Sequence, residues 1–229
     1  DFEAAVTEYK KAIQINPKDS NTHYCLGVAY RKLGDFEAAV TEYKKAIQIN
    51  PRDAEVYHNL GLVYYNQGNL EAAVTEYQKA IQINPRDAHV HYNLGVVYAV
   101  RGDLETAVTE YQLAIEINPD YVLAHDDLAA IYALKGDLEA AAAEYKKAIE
   151  IDPQHFDAYY CLGNIYTEQG DFKTAEIFYR TAIQINPSDA GVHYNLGLVY
   201  HNLGDFKMAE DAYKKAIQIN PKDAGAYYN

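Results

Sequence analysis

The chain has 229 residues, of which 49% are hydrophobic and 23% are charged, with a net charge of −13. These proportions exclude a wholly disordered chain, and the acidic balance argues against nucleic-acid binding through a basic face. No apolar run approaches the roughly 18 residues that a membrane helix needs. The sequence begins without the basic and apolar regions of a signal peptide, so we expect none. It also lacks an initiator Met, so we interpret the chain as a fragment.

One 34-residue period explains the unusual aromatic content, in which Trp is absent and 23 residues are Tyr. Two tyrosine series with this period account for 13 of the 23 tyrosines, and two glycine series share the period. The seven prolines follow it without exception: Pro17, Pro51, Pro85, Pro119, Pro153, Pro187 and Pro221. A fixed period of this length is the signature of a repeat architecture.

In chain order, residues 1–19 are predicted to form the second helix of a partial repeat that lacks its first helix. Full repeats follow at 20–53, 54–87, 88–121, 122–155, 156–189 and 190–223. Residues 224–229 are interpreted as the start of a further repeat. We predict that both ends expose apolar surface, and that molecules associate head to tail through these uncapped ends.

Each repeat has the pattern of two helices joined by a short turn. In the repeat 54–87, apolar residues at helical spacing predict helices over 54–66 and 70–83. Gly68 suits the left-handed position after the first helix, and Asn84 before Pro85 ends the second. Asp residues precede the second helices of the other full repeats and are the expected N-caps: Asp35, Asp103, Asp137, Asp171 and Asp205.

This pattern resembles the tetratricopeptide repeat (TPR) family over essentially the whole chain. The matching residues in the repeat 54–87 are Leu60, Gly61, Tyr64, Ala73, Tyr77, Ala80 and Pro85. The resemblance implies an all-α, right-handed superhelical solenoid of antiparallel helix pairs, whose first helices line a concave groove. It also implies a non-catalytic scaffold that binds a peptide or partner segment in that groove.

The candidate binding residues follow from counting positions 1–34 within each repeat, starting at Ser20, Ala54, Ala88, Val122, Phe156 and Ala190. The resemblance places positions 2, 5, 6, 9, 12 and 13 on the groove wall. Asn at position 6 can bond both the N–H and the C=O of an extended peptide, beside Tyr or His at position 5. The alternative is that these Asn side chains satisfy local backbone groups. Candidates from positions 5, 6 and 9 are Tyr24, His58, Asn59, Tyr92, Asn93, Tyr160, Asn164, Tyr194 and Asn195.

The Asn column partly resembles the asparagine ladder in the superhelical TPR region of O-GlcNAc transferase. Asp127 and the two cysteines interrupt it here. The resemblance supports a rival reading, in which the chain is the substrate-recruiting arm of a larger glycosyltransferase-like enzyme. A second rival is a self-assembling structural array.

The middle of the chain adds an acidic and apolar character to the predicted groove. Repeats 88–121 and 122–155 each carry a net charge of −4, and Asp126 and Asp127 occupy groove positions. Val96, Val100 and Leu134 form an apolar patch beside them. A basic or amphipathic partner segment would suit this region. The alternatives are an ordinary solvated acidic surface and side chains that pack on the neighbouring helix.

No motif for catalysis, phosphate binding or metal binding is present, so we expect neither an enzyme nor a cofactor. The family's carboxylate clamp is absent, because only Asn164 fits its pattern. Cys25 and Cys161 are expected to be free thiols in a reducing, cytoplasmic compartment. The histidines at position 4 are expected to be packed in the core: His23, His91, His125 and His193.

Overall fold

The computed structural model describes residues 1–221, and this part of the chain is all-α, with thirteen helices and no strand. The helices are α1 (Phe2–Ile15), α2 (Ser20–Leu33), α3 (Phe36–Ile49), α4 (Ala54–Asn66), α5 (Leu70–Ile83), α6 (Ala88–Val100), α7 (Leu104–Ile117), α8 (Val122–Leu134), α9 (Leu138–Ile151), α10 (Phe156–Glu168), α11 (Phe172–Ile185), α12 (Ala190–Leu203) and α13 (Phe206–Ile219). Even-numbered helices are the first helices of repeats, and odd-numbered helices are the second.

The turn and cap residues act as the sequence predicts. The side chain of Asp35 accepts a hydrogen bond from the Ala38 backbone N–H at 3.1 Å, and the other four predicted Asp caps make the same contact. Gly68 has φ +74°, in the left-handed region that favours glycine. Asn84 leaves the helical region with φ −129° and ψ 91°, because Pro85 follows it.

The chain divides into two compact units, Asp1–Pro119 (unit 1) and the residues from Asp120 onward (unit 2). Within each unit, the two helices of a repeat pack against each other, and second helices also pack against the first helix of the next repeat, as α3 does against α4 and α11 against α12. The resulting architecture is a solenoid of stacked helix pairs. In this arrangement no single repeat buries its apolar stripe alone, and stability depends on neighbouring repeats.

Small residues allow the helices to approach closely around a buried tyrosine at position 24. The core between α3 and α4 contains Tyr43, which is fully buried. A Cβ atom added to Gly27 would lie 2.6 Å from Cε1 of Tyr43, so the glycine at position 8 makes room for this ring. Position 8 holds Ala129 in the repeat 122–155, where it is also fully buried.

The histidines at position 4 are buried, with exposed fractions between 4% and 8%, which confirms the predicted packing. The sequence analysis did not predict the polar contacts of these histidines. Nδ1 of His91 lies 2.7 Å from a carboxylate oxygen of Glu110, and its Nε2 lies 3.2 Å from the Pro85 carbonyl oxygen. Two further pairs share the carboxylate contact: His23–Glu42 and His125–Glu144. The sequence feature that could have predicted these contacts is the glutamate 19 residues after each of these histidines.

The predicted apolar ends are only partly covered by the structure. In α1, Phe2 is 47% exposed and Ile15 is 86% exposed. The predicted repeat start at 224–229 lies outside the described residues. Within residues 1–221, no helix combines the length and the apolar character that crossing a bilayer requires.

Candidate functional site

The predicted binding residues of unit 1 lie on its first helices, α2, α4 and α6, which contact one another in sequence. We call the surface that these residues form the first-helix face of unit 1. Its members are Tyr24, His58, Asn59, Tyr92, Asn93, Val96 and Val100.

Tyr24 and Asn59 lie together on this face and form a network with Glu55. The Tyr24 hydroxyl donates to Oε1 of Glu55 at 2.6 Å, and Nδ2 of Asn59 donates to the Tyr24 hydroxyl at 3.3 Å. The same Nδ2 donates to the Glu55 carbonyl oxygen at 3.0 Å, and Asn59 is 7% exposed. Burial, together with the hydrogen bond to Glu55, raises the pKa of Tyr24.

His58 and Asn93 repeat this arrangement one period later. Nδ2 of Asn93 lies 2.8 Å from Nε2 of His58. Because an amide nitrogen only donates, His58 accepts and is the neutral imidazole in this geometry. Burial lowers the pKa of His58, which favours the same neutral form.

Three members of the unit 1 face lie beyond these two networks. The Tyr92 ring lies 5.7 Å, centroid to centroid, from the Tyr111 ring. Val96 is half-buried, so it combines packing with partial exposure. Val100 is 59% exposed at the end of α6, where an apolar side chain has solvent on most of its surface.

Unit 2 has a corresponding first-helix face on α8, α10 and α12. Its predicted members are Asp126, Asp127, Leu134, Tyr160, Asn164, Tyr194 and Asn195. Nδ2 of Asn195 donates to the Tyr160 hydroxyl at 3.1 Å and to Oδ1 of Asn164 at 3.0 Å. The Tyr179 hydroxyl donates to the same oxygen of Asn164 at 2.8 Å.

The remaining residues of the unit 2 face differ strongly in exposure and contacts. Nε2 of His155 lies 2.8 Å from Oδ1 of Asp126, so this carboxylate already has a partner. Asp127 lies beside it and is half-buried. The Tyr194 ring lies 5.8 Å from the Tyr213 ring, and Leu134 is 77% exposed at the end of α8.

The Asn column therefore links successive repeats. In three places the Asn at position 6 contacts the position 5 side chain 35 residues earlier. Neither sequence interpretation, ligand contact or local backbone bonding, included this link. Reasoning from single columns also missed Glu55, His155 and Tyr179. Glu55 stands in the repeat after its partner Tyr24, whereas His155 and Tyr179 stand in the same repeats as their partners Asp126 and Asn164.

The repeat pattern is matched by family models over nearly the whole chain. A model described as TPR repeat matches residues 1–34, 29–68, 63–100, 98–136, 130–170 and 163–204. A model described as tetratricopeptide repeat matches residues 190–223. This chain belongs to the TPR family. Chains of this family are protein-interaction scaffolds and are generally not catalysts.

Solved structures show the same TPR fold at low sequence identity. The C-terminal part of a TPR repeat-containing protein from Cytophaga hutchinsonii is 15% identical, with a TM-score of 0.84, over 99% of this chain and 93% of that one. PilF of Pseudomonas aeruginosa is 18% identical, with a TM-score of 0.77, over 91% and 95%. YrrB, titled a TPR protein with an unusual peptide-binding site, is 22% identical, with a TM-score of 0.59, over 96% of each chain. No curated protein matches this TPR chain significantly in sequence.

Within residues 1–221, no group of three His, Cys, Asp or Glu side chains is arranged to hold a metal ion. Cys25 and Cys161 are both partly buried. Burial raises the pKa of the Cys161 thiol, so the thiolate form is disfavoured there.

Proposed function

We propose that this TPR chain binds an extended segment of a partner protein on the first-helix face of either unit, with an apolar side chain of the segment as the anchor. The observation that carries the proposal is the exposure of Val100 and Leu134. These residues are 59% and 77% exposed, and they lie on the same helices as the polar and aromatic columns. Exposed apolar side chains beside ordered polar groups are typical of binding surfaces.

The Asn networks support this proposal by holding the binding surface in place before a ligand arrives. The Nδ2 groups of Asn93 and Asn195 are engaged by the preceding repeat. Among the described residues nothing donates to their Oδ1 atoms, and both side chains are only half-buried. In this proposal, these oxygens accept backbone N–H groups of an extended peptide, and the ordered network limits the entropy lost on binding.

Charge favours a basic segment as the partner. The repeats that contain Val100 and Leu134 each have a net charge of −4. An acidic surface speeds the encounter with a basic peptide and discriminates against acidic ones. Since Asp126 is already engaged by His155, the attraction is long-range and salt-sensitive.

The test uses peptides selected from a random library against the wild-type chain and measures their affinity by calorimetry. A double variant, Val100→Lys with Leu134→Lys, places positive charge where the apolar anchor of the peptide and its basic neighbours would bind. Both positions end a helix, where a cation is compatible with the helix dipole. We expect at least about a tenfold loss of affinity, since burying one such side chain is worth about 1.5–3 kcal/mol.

The matched control is Ile177→Lys, which changes an apolar side chain that is 64% exposed on the second helix α11. It should bind the selected peptides like the wild type, with helix content checked by circular dichroism. Equal affinity for all three proteins would overturn the proposal, as would an equal loss in both variants.

The two other functions considered from the sequence, the substrate-recruiting arm of an enzyme and a self-assembling array, remain predictions. A catalytic domain adjoining this segment in a longer reading frame would support the substrate-recruiting arm of an enzyme. An increase of mass with concentration in light scattering would support self-association through the ends.

A further inference from the structure

The last described repeat breaks the pairing of histidine with glutamate. In three other repeats, Nδ1 of the position 4 histidine lies 2.6–2.7 Å from a glutamate carboxylate at position 23. His193 keeps the position 4 histidine, but Ala212 stands at position 23. The other ring nitrogen is held as elsewhere, because Nε2 of His193 lies 3.1 Å from the Pro187 carbonyl oxygen. The ring therefore has the same orientation, and its Nδ1 is directed toward position 212.

A pocket of about 370 Å³, formed by α11, α12 and α13, lies beside position 212. His193 and Ala212 both line it, together with the apolar side chains of Ile183, Leu196 and Met208. His193 is 8% exposed, and the described residues supply no hydrogen-bond partner for its Nδ1. This nitrogen has no partner among the described residues, so a ligand in the pocket can supply one.

Charged groups around the pocket fit an anion. Arg180 and Lys215 line it from α11 and α13, and Asp211 is the one acidic side chain among its lining residues. Arg180 also pairs with Glu176 at 3.2 Å, and Lys215 contacts Gln218 at 3.2 Å. Both cations lie on exposed side chains near the pocket, so they are free to turn toward a ligand.

We propose that this pocket binds the carboxylate of an aliphatic acid, which takes the place of the glutamate found in the other repeats. Relative to Glu, Ala212 lacks one methylene and one carboxylate, which are the heavy atoms of acetate. A bound carboxylate would accept from the Nδ1–H of the imidazolium, as Glu110 does from His91. Either a free short-chain acid or a glutamate side chain of a partner polypeptide supplies this group. The site lies away from the first-helix faces and does not depend on the peptide-binding proposal.

The test follows histidine ring signals by NMR in the whole chain at mildly acidic pH, while acetate, butyrate or chloride is added at constant ionic strength. A capped peptide with one Glu, and its Gln counterpart, form a second set of probes. We expect saturable shifts of the His193 signals with carboxylates and not with chloride. His91 is the internal control, because Glu110 already fills its site. A response to both acids and the Glu peptide indicates recognition of the carboxylate itself, whereas a response to the Glu peptide alone assigns the source to a polypeptide.

Two variants complete the test. Ala212→Glu restores the internal carboxylate and should abolish the response of His193. Lys215→Gln leaves the core untouched and should weaken carboxylate affinity several-fold. The proposal fails if the His193 signals move no more than those of His91, if their shifts are linear rather than saturable, or if a well-folded Ala212→Glu protein responds like the wild type.

Discussion

The histidines His91 and His58 make the stability of the fold depend on pH in opposite directions. The hydrogen bond to Glu110 raises the pKa of His91 above its ordinary value, although burial opposes the shift. Burial lowers the pKa of His58, whose Nε2 accepts from Asn93. His91 therefore stabilises the fold in its protonated form, and His58 stabilises it in its neutral form.

The substitution Glu110→Gln removes the carboxylate that favours protonated His91. Since the folded pKa of His91 is raised, its stabilising contribution is complete below the unfolded value of about 6.5 and is lost as the pH rises through the folded pKa. Urea unfolding of both proteins over a pH series should show the largest stability difference at mildly acidic pH and a smaller one at alkaline pH. A difference that does not change with pH would contradict this account.

Helix pairs are held at their close spacing by a glycine beneath a tyrosine ring. A Cβ atom on Gly61 would lie 2.6 Å from Cε1 of Tyr77, whose side chain is fully buried. Helix propensity alone favours alanine over glycine by about 1 kcal/mol. The steric conflict therefore acts against intrinsic propensity, and it explains a glycine in the middle of a helix.

We predict that Gly61→Ala destabilises the chain, because overpacking a well-filled core costs about 1–3 kcal/mol and exceeds the propensity gain. The matched control is Gly191→Ala in the first turn of α12. There the nearest atom to the added Cβ is a carboxylate oxygen of Asp189 at 3.2 Å, at the end of a side chain that can move. Denaturant unfolding should show lower stability for Gly61→Ala and unchanged or higher stability for Gly191→Ala. The reverse order would refute the packing argument.

At the scale of the whole molecule, stability in each unit is a sum over neighbouring repeats. Hydrophobic clusters span the second helix of one repeat and the first helix of the next, as between α3 and α4. The hydrogen bonds from position 6 to position 5 cross the same boundaries. We therefore expect these polar links to couple adjacent repeats energetically.

A double-mutant cycle on His58 and Asn93 measures this coupling. Asn93→Ala removes the donor, and His58→Phe removes the acceptor while keeping a ring beside Tyr77. At a pH where His58 is neutral, we expect a coupling of about 1 kcal/mol, typical of one intramolecular hydrogen bond. Additive effects of the two substitutions would show that the contact contributes no stability between repeats.

The repeat sequence by itself determined the fold class, the helix limits, the caps and the turns, and it also predicted the buried histidines. These features depend on local chemistry that recurs every period: Gly68 at a left-handed turn, Asp35 at a helix start, and Pro85 after a helix end. The candidate face was assigned through the resemblance to the TPR family, which implies that these repeat positions lie on one side of the first helices.

Only the tertiary structure decided which polar groups of that face already have partners. Asn59 binds Tyr24, Asn93 binds His58, and the acidic side chain of Asp126 binds His155. It also showed that His193 lacks the carboxylate that the other buried histidines at position 4 contact within the described chain. The reason is physical: these contacts join residues far apart in the sequence, and directional hydrogen bonds depend on helix spacing and side-chain orientation, which sequence periodicity does not encode.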